Sequence, residues 1–213
     1  MEFIDPILDR YVCDHSENEP KVLADLNRTT HASVLQPRML SGHFQGRVLS
    51  MLMHMIKPKR ILEIGTYTGY SAICMAEGLI EGGELITIDI NEELEDLVNG
   101  FIKQAGFENK IVHKIGNALE IIPQLEGDFD VVFIDADKKN YINYYHSIFD
   151  KIKPGGYIIA DNVLWSGKVV IPQEKLDYET KIIMEYNDMV HHDVRVQEVL
   201  LPIRDGLLIA RKR

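Results

Sequence analysis

From Arg60 to Asp161 the chain alternates short apolar runs of strand character with amphipathic stretches of helical length. No other feature restricts the fold as much. Strands are expected at Arg60–Ile64, Glu84–Asp89, Lys110–Ile115, Val131–Asp135 and Tyr157–Asp161, with helices between them at Tyr70–Leu79, Glu92–Ala105, Ala118–Gln124 and Tyr141–Lys151. Gly82-Gly83, Gly106 and Pro154-Gly155-Gly156 punctuate the joins. Strands separated by helices imply right-handed βαβ units and a parallel sheet. Beyond Asn162 a loop leads to a helix at about Lys175–Val190. Two final strands, Arg195–Leu201 and Gly206–Arg211, are joined by the short turn Pro202-Ile203-Arg204-Asp205-Gly206 and must therefore pair antiparallel.

The first third reads as helical: Ile4–Cys13, Pro20 to about Thr30, and Gln45–Ile56, the last stopped by Pro58. Methionines 51, 53 and 55 on the third helix are expected to be packing residues. A chain of 213 residues is long enough for one α/β domain with a full core. The expected organisation is one domain, with residues 1–58 as a helical cap and 59–213 as the α/β core. A formal net charge of −10 disfavours a general nucleic-acid binder. The basic clusters Arg28 with Arg38 and Lys57-Pro58-Lys59-Arg60 read as solvated surface. The two cysteines make no disulfide framework, and Cys74 falls in an apolar helical run as a core residue. The start Met1-Glu2-Phe3-Ile4-Asp5-Pro6 is no signal peptide, and no run approaches the ~18 apolar residues of a membrane span, so the expected compartment is the cytoplasm.

Three strands end in acid or amide oxygen, where open α/β sheets bind ligands. The first end, Glu63-Ile64-Gly65-Thr66-Tyr67-Thr68-Gly69-Tyr70-Ser71, is a glycine turn opening a helix. Its G-x-x-x-G spacing is neither the dinucleotide fingerprint nor a P-loop. Asp89, closing the second strand, suits ribose hydroxyls. A ligand with a ribose but no pyrophosphate is implied, and S-adenosylmethionine fits. Glu63 is poor strand composition unless it faces the ligand's ammonium; otherwise it is a surface residue. Gly116-Asn117-Ala118 could frame an adenine, although Asn117 serves equally as a helix N-cap.

At the other two ends, Asp135, Asp161 and Asn162 offer only oxygen ligands, which favours Mg²⁺, or Mn²⁺ or Ca²⁺, over zinc. Such a cation could chelate two adjacent substrate oxygens. Lys138, three residues after Asp135, can turn back over the same strand end as a base. The bland alternatives are a solvated lysine and an ordinary turn at Asp161-Asn162.

Ile61-Leu62-Glu63-Ile64-Gly65-Thr66-Tyr67-Thr68-Gly69-Tyr70-Ser71, Phe133-Ile134-Asp135-Ala136-Asp137-Lys138, Asp161-Asn162-Val163-Leu164-Trp165 and Leu201-Pro202-Ile203-Arg204-Asp205-Gly206-Leu207 together resemble the cation-dependent O-methyltransferases of the catechol and caffeoyl-CoA type, a likeness that covers nearly the whole chain. The resemblance implies a Rossmann-like S-adenosylmethionine methyltransferase fold, a seven-stranded, mostly parallel sheet with an antiparallel last strand, commonly in a homodimer. It puts the metal ligands on Asp135, Asp161 and Asn162 and the base on Lys138, with Asp135 also catalytic and donor-contacting. Donor contacts fall on Met39, Ser41, Glu63, Gly65, Tyr67, Ser71, Asp89 and Ala118, with Met39-Leu40-Ser41-Gly42 closing over the donor. Trp165 walls the acceptor pocket, where Met39 also lies, unless it is buried merely for packing; the loop from Ser166 to Tyr178 covers that pocket. Three departures stand out: Asn117 for an aspartate common in relatives, Ala136 for the histidine of animal catechol enzymes, and Arg204 for a frequent glycine. The expected reaction is methyl transfer from S-adenosylmethionine to a vicinal dihydroxy aromatic. The alternatives are methylation of a hydroxylated uridine in transfer RNA, as some bacterial relatives perform, and a donor-binding protein without chemistry.

Overall fold

The computed structural model describes residues 5–213, Gln173 by its backbone alone. The expected helical start at Ile4, and the start of the chain judged to be no signal peptide, lie outside the described residues. The chain divides into two compact units, one through Asn117 and the other from Ala118 to Arg213.

The first unit begins with three helices. The first, α1 (Pro6–Asp14), has Pro6 in its first turn, and the Asp5 carboxylate accepts the Ile7 N–H. After α2 (Lys21–Ser33) and a 3₁₀ turn at Pro37–Met39 comes α3 (Gly42–Ile56), which ends in left-handed Lys57 before Pro58. Of the three methionines expected to pack, only Met53 is buried; Met51 and Met55 are exposed. Positions four apart share a helix face and the one between them opposes it, so the three could not all face the core. Strands β1 (Arg60–Ile64), β2 (Glu84–Asp89) and β3 (Ile111–Ile115) run parallel in the order β3-β2-β1, joined by α4 (Tyr70–Ala76) and α5 (Glu95–Gln104). Their registers align Ile64 with Ile88 and Asp89 with Ile115, so the carboxyl ends lie level. One sheet face carries Glu63 and Thr87 in register, both fully buried. Cys74 is buried as expected, and burial pushes its thiol up to about 12.

α4 stops short of the expected Leu79. Gly78, just beyond it, packs on the backbone of α3, where a Cβ would lie 2.4 Å from the Met53 carbonyl carbon. The expected helix from Glu92 opens as a 3₁₀ turn, Glu92–Leu94, before α5.

The second unit contains α6 (Ala118–Ile121), β4 (Phe129–Ile134), α7 (Tyr141–Phe149), β5 (Ile152–Asp161), α8 (Tyr178–His192), β6 (Val196–Leu201) and β7 (Leu207–Lys212). Its strand order is β4-β5-β7-β6, with β4 parallel to β5 and the terminal hairpin antiparallel, as expected. α6 is a single turn because Pro123 diverts the chain into a 3₁₀ turn, Ile122–Gln124. β5 starts five residues earlier than its expected Tyr157, so Pro154-Gly155-Gly156 lies inside the strand rather than at a join. Gly155 has φ +82°, the β4 pairing shifts register between Phe129 and Val131, and a Cβ on Gly156 would meet the Asp130 carbonyl oxygen at 3.0 Å. The tripeptide is a bulge rather than a turn. α8 starts later than expected, at Tyr178, because Asp177 caps it: its Oδ1 accepts the Thr180 N–H at 2.8 Å and the Thr180 hydroxyl at 2.6 Å.

Candidate active site

In the first unit the glycine turn is an extension of the sheet. The Gly65 N–H donates to the Ile88 carbonyl at 2.9 Å, prolonging the β1–β2 ladder past Ile64. Gly65 (φ 102°), Tyr67 (φ 49°) and Gly69 (φ 87°) then take left-handed backbone, which turns the chain sharply into α4. That turn aims the Tyr67 N–H at Asp89 Oδ2, 2.7 Å away, while the Asn91 N–H donates to Asp89 Oδ1 at 2.9 Å. Asp89 is thereby fixed at the end of β2, and each of its oxygens keeps lone-pair capacity for a ribose hydroxyl.

Glu63 is 0 % exposed, which removes the surface alternative. Its Oε1 accepts the Ser71 hydroxyl at 2.6 Å and its Oε2 the Thr87 hydroxyl at 2.5 Å. Thr87 in turn contacts Thr66 Oγ1 at 2.5 Å. A buried carboxylate with hydroxyl partners is suited to an arriving cation, since the charge is oriented before the ligand binds. The Tyr67 hydroxyl donates to the carbonyls of Leu35 and Gln36, each at 3.2 Å. This ties the glycine turn to the segment ahead of Met39-Leu40-Ser41-Gly42. Within that segment Ser41 is 6 % exposed and Met39 is 61 % exposed. The structure thus gathers Glu63, Gly65, Tyr67, Ser71 and Asp89 around one turn and tethers the chain before Met39 to it. Gly116 donates its N–H to the Asp89 carbonyl at 2.8 Å, and Asn117 directly precedes α6, in the N-cap place.

In the second unit, Ile134 pairs with Ala160, so Asp135 and Asp161 leave the ends of adjacent strands. Lys138 is only 7 % exposed, against the solvated alternative. Its ammonium has three hydrogens and three acceptors: Tyr141 Oη at 2.5 Å, Asn162 Oδ1 at 2.7 Å and Asp135 Oδ1 at 3.4 Å. Asp161 is buried, and its Oδ1 accepts the Asn162 N–H at 2.7 Å. Asn162 has φ 58°, a left-handed conformation that asparagine tolerates better than most residues. Asp135 and Asn162 thus already point oxygens at one positive charge, the ammonium. Together with Asp161 the set offers hard oxygen donors and no thiolate or imidazole, which fits Mg²⁺ or a similar ion. Among the described residues no three His, Cys, Asp or Glu side chains gather to hold a metal ion; the third donor here is the Asn162 carboxamide.

Tyr141 is a site residue that the sequence reading missed. It is fully buried, and its hydroxyl accepts from Lys138 and donates to the Asp161 carbonyl at 2.9 Å. Burial first, then the nearby Asp135 and Asp161, pushes the phenol well above its ordinary value, so it stays protonated. The available signal was its spacing, three residues after Lys138 at the start of a helix, which returns a side chain to the same face.

Trp165 stands beyond Asn162 in a left-handed conformation, φ 46°. The Lys138 and Lys168 ammonium groups each lie 5.7 Å from its ring centroid, and its buried indole N–H has no hydrogen-bond partner among the described residues. The loop from Ser166 to Tyr178 is not shapeless: the stretch Trp165–Val170 is helical on either side of a kink at Ser166 and Gly167, Gln173–Lys175 forms a 3₁₀ turn, and Lys168 pairs with Asp177 at 2.7 Å.

Comparison with known proteins gives these residues a context. The sequence profile of the O-methyltransferase family matches residues 13–213. A caffeoyl-CoA O-methyltransferase of Medicago sativa is 37% identical over 82% of this chain and 75% of its own length. Among solved structures, an O-methyltransferase from Bacillus cereus in complex with SAH superposes with a TM-score of 0.90 at 29% identity, covering 97% of both chains. The O-methyltransferase TomG from Streptomyces achromogenes, involved in tomaymycin synthesis and solved with SAM, gives 0.89 at 26% identity over 97% of this chain and 96% of its own. The expected α/β fold, seven strands and mostly parallel with an antiparallel end, is therefore a methyltransferase fold.

Proposed function

Because the chain belongs to the O-methyltransferase family, we propose that it moves the methyl group of S-adenosylmethionine onto one hydroxyl of a vicinal dihydroxy aromatic of the catechol or caffeoyl type. The family membership and the donor or its product bound in solved relatives support the reaction class. The acceptor class rests on the arrangement at Lys138: a buried ammonium held by Tyr141, Asn162 and the part-buried Asp135, beside the buried carboxylate of Asp161.

In this reading Asp89 takes the donor's ribose hydroxyls, Glu63 with Ser71 its ammonium, and the turn at Gly65 and Tyr67 its carboxylate end. Ser41 and Met39 close over the donor, Ala118 meets its adenine, and Met39 and Trp165 also border the acceptor. Asp135, Asp161 and Asn162 hold a divalent cation, Mg²⁺ or else Mn²⁺ or Ca²⁺. When bound, such an ion supplies Lewis-acid stabilisation of the acceptor oxygens and makes a hydroxyl easier to ionise. Lys138, buried beside the same oxygens, is the residue placed to accept the hydroxyl's proton. Tyr141 keeps the lysine nitrogen in place throughout, because its hydroxyl stays protonated and donates to the Asp161 carbonyl while its oxygen faces Lys138. The indole N–H of Trp165 is free to donate to an acceptor oxygen. The transfer is an SN2-like displacement: the C–S bond breaks as the C–O bond forms, giving a methyl ether, S-adenosylhomocysteine and a proton.

The net charge of −10 favours a small-molecule acceptor over transfer RNA. No helix among the described residues is long and apolar enough to cross a membrane. A homodimer and a cytoplasmic location complete the proposal, the former testable by sedimentation velocity. The deciding experiment is a methyl-transfer screen with catechol, caffeate, caffeoyl-CoA and flavonoids, with Mg²⁺ and with EDTA. Turnover of a vicinal diol that stops in EDTA and returns with Mg²⁺ is the expected result. Turnover that persists in EDTA removes the metal role, and inertness toward every diol removes the acceptor class.

A further inference from the structure

The loop that carries Asn162 and Trp165 is held in an improbable shape. Asn162, Trp165, Ser166 and Gly167 all have left-handed backbone, with φ of 58°, 46°, 54° and 76°. Bulky Trp165 does not adopt that conformation by preference, so contacts from elsewhere must fix it. They come from the turn between β6 and β7, part of the Leu201–Leu207 motif to which the proposed reaction gives no role. The Asp205 carbonyl accepts the Leu164 N–H at 2.9 Å, and the Gly206 carbonyl accepts the Val163 N–H at 3.3 Å. The Asp205 carboxylate accepts the Ser166 N–H. Gly206 has φ 91°, and a Cβ there would lie 2.6 Å from Leu164 Cγ and 3.0 Å from the Leu164 nitrogen, so only glycine allows the approach. From α8, Asn187 Nδ2 donates to the Val163 carbonyl at 2.9 Å. Three successive loop residues, 163 to 165, are thus bracketed between backbone bonds and a single carboxylate.

We propose that Asp205 is a positioning residue: its carboxylate and carbonyl grip the loop on both sides of Trp165 and so set where the indole and the Asn162 amide stand for the acceptor. Asp205 acts through the backbone of Leu164 and Ser166 and touches no reacting atom. The inference rests on the proposed reading of Asn162 as a cation ligand and of Trp165 as a residue that borders the acceptor.

The test uses Trp165 as its own reporter, since it is the only tryptophan in the chain. Asp205→Ala should raise KM about tenfold for the fastest diol of the screen above, the loss expected from one charge-assisted hydrogen bond. Its tryptophan emission should move to longer wavelength and become more accessible to acrylamide, while the Kd for S-adenosylhomocysteine stays within about twofold. Asp205→Asn keeps an acceptor oxygen at the same place and should restore both KM and emission. If Asp205→Ala does not fold, Asp205→Glu, which retains the charge but displaces the carboxylate by one methylene, should still raise KM. An unchanged KM with unchanged quenching overturns the inference. So does a fall in kcat that tracks a fall in the folded fraction at constant KM, because that is what a purely structural residue would give. Trp165→Phe separates the two levels. If it leaves KM untouched, the acceptor-site reading has failed; if it raises KM while Asp205→Ala does not, only the grip has.

Discussion

Hydrogens can be placed on the hydroxyl chain behind the glycine turn by counting. Thr87 has one, and it goes to Glu63 Oε2, so Thr66 must be the donor in the 2.5 Å contact between the two threonines. Both hydroxyls therefore orient a single buried carboxylate. Thr87→Val preserves the shape of the side chain and removes the donor; the Kd for S-adenosylhomocysteine, measured by titration calorimetry, should weaken by about 1 kcal/mol, or roughly fivefold, and Thr87→Ser should recover it. An unchanged Kd in the valine variant would show that Glu63 is not held for the donor in this way. At the other strand ends, Tyr141→Phe keeps the ring that packs edge-on against Tyr186 at 5.4 Å but frees Lys138 and the Asp161 carbonyl of their shared partner. We expect kcat to fall by about tenfold or more, and stability by about 1–3 kcal/mol, with donor affinity unmoved. Lys138 and Asp89 were legible in the sequence because charge at the end of an apolar strand is conspicuous. Tyr141 and Thr87 were not: a tyrosine opening a helix and a threonine in a strand are ordinary there, and only the fold shows which polar atom each one meets.

Elements were legible where periodicity governs them and misread where one residue overrides it. The strand ends at Ile64, Asp89 and Asp161 stand where the pattern placed them, because each apolar run gives way there, to a glycine turn after Ile64 and to an acid at Asp89 and Asp161. Helix ends moved when a cap, a proline or a close approach decided them: Asp177 starts α8, Pro123 shortens α6, and Gly78 follows an early end to α4. The Pro154-Gly155-Gly156 bulge carries turn residues for a different reason, since β5 must admit the Asp130 carbonyl beside Gly156. Two glycines show how such positions can be told apart by experiment. An alanine Cβ at Gly78 would press on the Met53 backbone at 2.4 Å and on the His54 nitrogen at 2.6 Å, atoms that cannot step aside. Gly78→Ala should cost about 1–3 kcal/mol. In thermal unfolding that is a fall of some degrees, at about 2–4 °C per kcal/mol for a chain of this size. Gly100, inside α5, has nothing within 4 Å of its added Cβ. Gly100→Ala should therefore raise the melting temperature, by the about 0.5–1 kcal/mol that glycine costs in a helix. If both variants melted lower by the same amount, close approach would not be what makes residue 78 a glycine.

Across the whole molecule, acid stability follows from groups whose protons are bound differently in the folded and unfolded chain. Asp193 is held down to about 2, chiefly by hydrogen bonds from the Arg195 guanidinium, whose Nε and Nη2 lie 2.8 Å and 2.6 Å from its two oxygens. Its contribution is present above the ordinary carboxylate range and is lost as pH falls through that range towards 2. His113 acts earlier. It stands on β3 in register with Thr87, and both of its ring nitrogens are buried with no hydrogen-bond partner among the described residues. Burial lowers its pKa; Asp89 and Glu95 pull the other way and do not win. A base with a depressed folded value binds fewer protons folded than unfolded below about pH 6.5, so stability must drop as pH falls through that point. Nothing in the sequence marks this: a histidine in an edge strand reads as a solvent-facing residue, and only the fold encloses it. The consequence is a two-stage acid profile, a first decline beginning near pH 6.5 and a second below about 4. His113→Leu removes the first stage by putting an apolar side chain where two unpaired nitrogens stand. Urea midpoints measured from pH 7.5 to 5 should then lie flat in the variant and slope downward in the parent, with the variant higher throughout because it no longer buries unpaired polar atoms. Parallel slopes in the two proteins would mean that His113 takes up its proton as readily folded as unfolded, and the acid sensitivity would have to be sought in another histidine.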